Sequence, residues 1–190
     1  MIYIGLDLGQ RQDFSALAVV QRQTPRLIVR HLERLRLGTP YTAVVDRIRD
    51  LLRSPRLIGS RRLVVDATGV GMPVVDMLRS ARIGCDIMPV VLTGADKESC
   101  HGGLWHVPKL DLMAGLQSAL ERRELRVARR LRESPAFVRE MLDVRLSQGR
   151  HQRVGADGPG QHDDLVIAVA LAGWAARKPA MGLKSTGPLV

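Results

Sequence analysis

Met1-Ile-Tyr-Ile-Gly-Leu-Asp-Leu-Gly-Gln10 opens the chain, and its reading decides the fold. In a strand successive side chains alternate faces, so Ile2, Ile4 and Leu6 share one face while Tyr3, Gly5 and Asp7 share the other. Apolar residues on both faces suit a central strand covered on both sides. A carboxylate in that setting is unfavourable unless a cation, a basic partner or backbone donors compensate it. Asp7 is therefore the first candidate functional residue, and the rest of the chain is searched for acids that converge on it.

Outward from this strand, residues 14–21 and 27–35 are two more strand-like runs separated by the turn signal Thr24-Pro25, which together predict an antiparallel meander. Residues 41–53 place Val44, Val45, Ile48, Leu51 and Leu52 at helical spacing. Arg61-Arg-Leu-Val-Val-Asp66 is a short apolar strand ending in an acid, and Ala67-Thr-Gly-Val-Gly71 is a glycine turn before a helix over 73–79. Strand, turn and helix in that order predict a βα unit and a switch to parallel pairing. Residues 86–92 form another strand, with Pro89 favouring an edge position.

Residues 93–107 are polar and read as a loop long enough to carry function. A helix follows over 108–122 with Leu110, Leu112, Met113, Leu116 and Leu120 inward; Leu125-Arg-Val127 is a brief strand at most. A further helix covers 131–142 and a hairpin 143–154. Residues 165–176 are apolar all round, hence a buried helix, preceded by His162-Asp163-Asp164. The expected architecture is α/β, with a central mixed five-stranded sheet, antiparallel then parallel, flanked by helices. It occupies residues 1–177, and 178–190 form a flexible tail.

Hydrophobic residues at 45% and charged residues at 25% are ordinary for a globular chain of 190 residues. No run is long and apolar enough to span a membrane, and Asp7 interrupts the opening as a signal peptide; the expected location is cytoplasmic, with no membrane partner. Cys85 and Cys100 form no CxxC, which argues against a disulfide framework. A net charge of +10 points to a polyanionic partner. Only four of the 29 basic residues are lysine, a bias that a GC-rich genome accounts for as readily as phosphate binding does. Aromatics at 3% disfavour base stacking, and a duplex backbone held by arginines fits better. Arg122, Arg123, Arg126, Arg129, Arg130 and Arg132 are the candidate DNA-facing cluster, or else a solvated face.

Asp7, Asp66 and the pair Asp163-Asp164 can meet if the first and fourth strands lie side by side and parallel. Such a group repels itself, and hard Mg²⁺ or Mn²⁺ removes the repulsion. Two ions about 4 Å apart support in-line attack on a phosphodiester. Each acid also has a plainer role: Asp66 as a turn former, Asp163 as a helix cap. Asp7 has no such role.

The stretches IGLDLGQRQDFSALAVV (4–20), LVVDATGVGMPVVDMLR (63–79), VPKLDLMAGLQSALERRELRV (107–127) and HDDLVIAVALAGW (162–174) resemble, in order and spacing, the nuclease domain of the large terminase subunit of tailed phages. The resemblance runs to about Ala176. It implies a ribonuclease H-like fold of the resolvase-like branch, a metal-dependent endonuclease acting on double-stranded DNA, and two bound Mg²⁺ or Mn²⁺ ions. Carried over by position, Asp7, Asp66 and Asp163 or Asp164 match the acidic ligands, while Asp13, His162 and Lys109 fall in matching segments as further contacts to ligands or phosphate. The chain departs from the family in having no GxxxxGK[ST] phosphate loop, and Met1 sits directly before the first strand. It is expected to be an excised domain, a split gene product or a free-standing relative. A separate packaging ATPase or other terminase components are then candidate partners, in the host cytoplasm.

Two rival readings stand beside this one. Asp7-Leu-Gly9 and Asp66-Ala-Thr-Gly-Val-Gly71 also resemble the phosphate loops of actin and sugar-kinase ATPases, an architecture that needs two such domains. A non-catalytic DNA-binding module of the same fold is the other.

Overall fold

The computed structural model describes residues 1–9, 13–55, 57–69, 71–147, 153–155 and 162–178, with backbone alone for 145–147 and 153–155. The expected tail lies outside the described residues apart from Lys178, as does the turn of the 143–154 hairpin.

Strand β1 (Ile2–Asp7) pairs antiparallel with β2 (Ala16–Gln23), which pairs antiparallel with β3 (Arg26–Arg34). Helix α1 (Tyr41–Arg53) leads to β4 (Arg61–Asp66), which lies parallel to β1 on its free side. Helix α2 (Gly71–Ser80) and β5 (Asp86–Thr93) complete the βα unit. A hairpin of β6 (Ser99–His101) and β7 (Leu104–Pro108) runs directly into α3 (Lys109–Glu121), followed by β8 (Leu125–Val127) and α4 (Ser134–Asp143). Strands β9 (Arg145–Ser147) and β10 (Arg153–Gly155) pair separately, and α5 (Asp164–Arg177) closes the described chain.

Among the described residues the main sheet has eight strands in the order β6-β7-β5-β4-β1-β2-β3-β8. It is the expected mixed α/β architecture with three more strands than the five predicted. Those three have three to five residues each, too short for alternation to register. Two of them lie in 93–107, which is a hairpin rather than a loop. Pro89 sits in an interior strand, contrary to expectation. Yet β7 pairs only with Val90–Thr93, so Asp86 to Pro89 has one strand neighbour, and the missing N–H falls in the half without a second ladder. Leu120 is 37% exposed and Ala119 takes the inward position in α3.

Strand β1 separates two apolar layers. Ile2, Ile4 and Leu6 join Val44, Ile48, Val74 and Leu78 of α1 and α2. Tyr3 joins Leu112, Phe137 and residues along α5 on the opposite face. Helix α5 is buried from Asp164 to Ala176, as its unbroken apolar sequence predicts. It lies so close to β1 that a Cβ on Gly5 would come within 1.9 Å of the Ala168 carbonyl oxygen. Gly71 plays a similar part in the strand-to-helix turn, where a Cβ would meet the Asp66 carbonyl oxygen at 2.3 Å. Trp105 and Trp174 pack edge to face at 5.3 Å.

Gly5→Ala has no room unless α5 moves away from β1. Overpacking of this kind typically costs about 1–3 kcal/mol, and denaturant titration should place the variant at least that far below the parent. Parental stability would show that the close approach is not needed.

Candidate functional site

Pairing register brings the acids together. Leu6 lies opposite Val65 in the parallel β1–β4 ladder, so the next step sets Asp7 beside Asp66. Both point to the α5 face: Tyr3, four residues before Asp7, and Val64, two before Asp66, belong to the apolar layer under α5. Gly5 admits α5 to that face, and the N-terminus of α5 carries Asp163 and Asp164. Strand β7 ends at the same end of the sheet and continues into α3, whose first residue is Lys109.

Lys109 Nζ donates to Asp163 Oδ2 at 2.8 Å. Asp163 occupies the N-cap position of α5, yet its side chain makes no capping hydrogen bond. The capping role expected of Asp163 is thus not the one it performs. Glu140 of α4 performs it, with Oε2 accepting the Val166 N–H at 3.0 Å in the first turn of α5. Glu140 is 4% exposed and is also ion-paired with Arg34 at the end of β3. The Arg34 guanidinium lies 5.2 Å from the Phe14 ring centre, and Phe14 meets the His162 ring edge-on at 5.1 Å. Glu140 and Arg34 were missed in the sequence. The available signal was a carboxylate at helical spacing among Ala136 and Phe137, on the buried face of α4.

Asp66 keeps its plainer role as well, since Oδ1 accepts the Thr68 N–H at 2.8 Å. Asp164 is 4% exposed, and its Oδ2 has no hydrogen-bond partner among the described residues; neither has His162 Nδ1, 3.7 Å away. One ligand atom each from Asp13, His162 and Asp164 lies within 4.8 Å of the others. Asp7 and Asp163 are outside that tight trio but within electrostatic reach of Asp164, and Asp66 is within reach of Asp7 and Asp163.

The charges act on one another accordingly. Burial holds Asp7 well above the usual carboxylate range, and Asp66, Asp164 and Asp163 push it further while Lys109 opposes them. Burial also raises Asp66, against Thr68 and Lys109. Asp164 rises to about 6, first through burial, with His162 and Arg34 opposing and Asp163 and Asp13 adding. Carboxylates gathered and desolvated in this way match a hard divalent cation, and orphaned buried atoms on His162 and Asp164 offer it ligands.

The arginine cluster is not brought together. Arg122 and Arg123 precede β8 while Arg129, Arg130 and Arg132 follow it, so they lie toward opposite ends of the sheet.

No family model matches the chain, and no curated protein matches it. Solved structures do. The large terminase nuclease from thermophilic phage G20c with bound magnesium superposes with a TM-score of 0.67 at 25% identity, covering 92% of this chain and 80% of that one. Its fold is that of the large-terminase nuclease domains. Two more distant terminase nucleases share this ribonuclease H-like fold. The g2p nuclease domain from bacteriophage SPP1 with bound Mn has a TM-score of 0.58 at 13% identity, covering 92% and 85% of the two chains. The human cytomegalovirus terminase nuclease domain gives 0.58 at 14%, covering 91% and 82%. Among the described residues no helix is long and apolar enough to cross a membrane.

A carboxyl group raised in the folded state binds more protons there than in the unfolded chain. The contribution of Asp164 to folding stability therefore falls as pH rises from the ordinary value of 3.8 through about 6, while Glu33, held down to about 2, adds stability as pH rises toward 4.5. In chelator, the melting temperature should drop more across that window in the parent than in Asp164→Asn. Mg²⁺ or Mn²⁺ should raise it more above pH 6 than below, because protons and cations compete for the same oxygens. An Asp164→Asn variant with the pH dependence of the parent, or a parent whose melting temperature ignores both cations, would contradict the assignment.

Proposed function

We propose that residues 1–177 form a metal-dependent DNA endonuclease domain, hydrolysing phosphodiester bonds of double-stranded DNA with two Mg²⁺ or Mn²⁺ ions. The observation that carries this is the gathering of Asp7, Asp66, Asp163 and Asp164 at one end of the sheet, with Asp163 released from helix capping by Glu140. The terminase nucleases with bound magnesium and Mn support the choice of ions. Bound cations would supply the charge that offsets the carboxylates and the acidity that makes water an attacking nucleophile.

The chain's own residues do the rest. Asp7 and Asp66 are held by the parallel ladder, and Asp164 by burial at the start of α5. Their oxygens would hold the ions, with Asp13 and His162 completing the trio around Asp164. Lys109 fixes Asp163 and presents an ammonium group beside the cluster, suited to a phosphate oxygen. Arg34 and Glu140 set the angle of α5 and so the placement of both its acids. A separate packaging ATPase or other terminase components would be natural partners, in the host cytoplasm.

The test is relaxed plasmid formation with Mn²⁺, with and without chelator. Cleavage should need the cation, and Asp7→Asn should lower it more than about 100-fold, beyond what loss of a supporting contact does. The same variant removes a buried, repelled charge, so in chelator it should melt no lower than the parent. Full cleavage by Asp7→Asn, or cleavage that survives chelation, would overturn the proposal.

A further inference from the structure

Strand β8 pairs with β3 only at Leu27–Val29. Among the described residues the remainder of β3, 30–34, therefore has no strand on that side. A groove of about 560 Å³ lies along this edge, lined by residues 31–36, Arg47 and residues 130–133. Strand β3 runs parallel to β1, so the groove is at the same end of the sheet as the acids. Asp7 lies opposite Ala16, and Ala16 opposite Arg34. Two strand spacings give a separation of about 10 Å.

The lining holds five arginines against two glutamates. Arg47 takes up Glu33 with two bonds of 2.8 Å, and Arg34 is committed to Glu140. The other three have donors to spare. Arg36 and Arg130 are exposed and enter no ion pair among the described residues. Arg132 approaches Glu133 only to 3.8 Å, with its side chain 95% exposed, a contact worth little in water. At the far end of the sheet Arg122 is instead engaged by Glu124 at 3.0 Å.

Building on the nuclease reading above, we propose that this groove is a phosphodiester-backbone site, in which Arg36, Arg130 and Arg132 hold the DNA duplex beside the carboxylate cluster. Guanidinium forks match phosphate oxygens two at a time. The lining has no Phe, Tyr or Trp on which bases could stack, and its one imidazole, His31, is engaged by Glu33 at 2.8 Å, so contact is with the backbone and independent of sequence. Charged side chains along the open edge of β3 oppose addition of a partner strand there. The groove wall at Arg34 stands two strands from Asp7, so the groove would grip phosphates flanking the cut rather than the cut itself. It separates the grip on the substrate from the acids, which repel it.

The experiment is anisotropy of a fluorescent mixed-sequence duplex titrated with the whole chain in chelator, over a series of salt concentrations. The Arg36→Ala, Arg130→Ala, Arg132→Ala triple variant should lose roughly tenfold or more in affinity, and the slope of log affinity against log salt should shrink by about 2–3. The Arg122→Ala, Arg123→Ala variant, at the other end of the sheet, should stay within about twofold of the parent. Lysine at the three positions should restore most of the slope but less of the affinity, a pattern misfolding would not produce. Equal losses in the two alanine variants, or an unchanged slope in the first, would overturn the groove. Plasmid cleavage by the parent is scored separately. A parent that binds through the groove but never cuts refutes the nuclease and leaves the groove standing; a parent that cuts with the groove variant binding normally does the reverse.

Discussion

Contact between the backbone of α5 and the face of β1 is the constraint on which the rest depends. It exists because position 5 carries no side chain and because α5 is largely alanine where it passes, at Ala168 and Ala172. Small residues on both partners let a helix settle almost onto the strand, and the apolar surface buried along α5 supplies the driving force. The helix axis then leaves little freedom to its N-terminus. Asp163 and Asp164 arrive beside Asp7 as a consequence of packing more than of any attraction between them.

The electrostatics of that end run against the fold. Several carboxylates share a poorly solvated space; burial and then the neighbouring acids raise Asp7, and burial with Asp163 and Asp13 raises Asp164. Three features reduce the strain. The N-terminus of α5 contributes its positive dipole end, Lys109 places an ammonium group on Asp163, and Glu140 takes over the helix cap. The last is a division of labour: one buried glutamate, neutralised by Arg34, satisfies an N–H of α5 so that the aspartates need not. What remains uncompensated is negative charge, and perturbed carboxylates of this kind are what mark the cluster as a candidate functional site.

Six of the eight strands run in one direction, with β2 and β6 opposed, so several strand ends open on one side of the sheet. Asp7, Asp66, Lys109, Arg34 and the residues after β8 all stand there for that reason, in line with the tendency of open α/β sheets to bind ligands beyond the carboxyl ends of their strands. A negative pocket and a positive groove side by side follow from topology, although the residues come from opposite halves of the chain. Much of this was legible beforehand. Asp7 stood out because an acid inside an apolar strand has no local use, and Asp163-Asp164 because one acid is enough for a cap. Lys109 and Asp13 were visible only through the family resemblance. Glu140 and Arg34 carry no sequence motif, and the arginines of 122–132 form one cluster only along the chain.

The sequence by itself determined the long elements: the opening meander, the βα unit around Asp66, the helix over 41–53 and the all-apolar helix ending the described chain. Hydrophobic period and turn chemistry act between residues a few positions apart, so they can be read along a line. Tertiary structure alone decided the three short outer strands, the place of Pro89, the replacement of Asp163 by Glu140 as the cap of α5, and the parting of Arg122 and Arg123 from Arg129, Arg130 and Arg132. Each of these depends on which strand lies beside which and on fields acting through space across distances that sequence separation does not encode. A β8 of three residues is enough to carry neighbouring arginines toward opposite ends of a sheet.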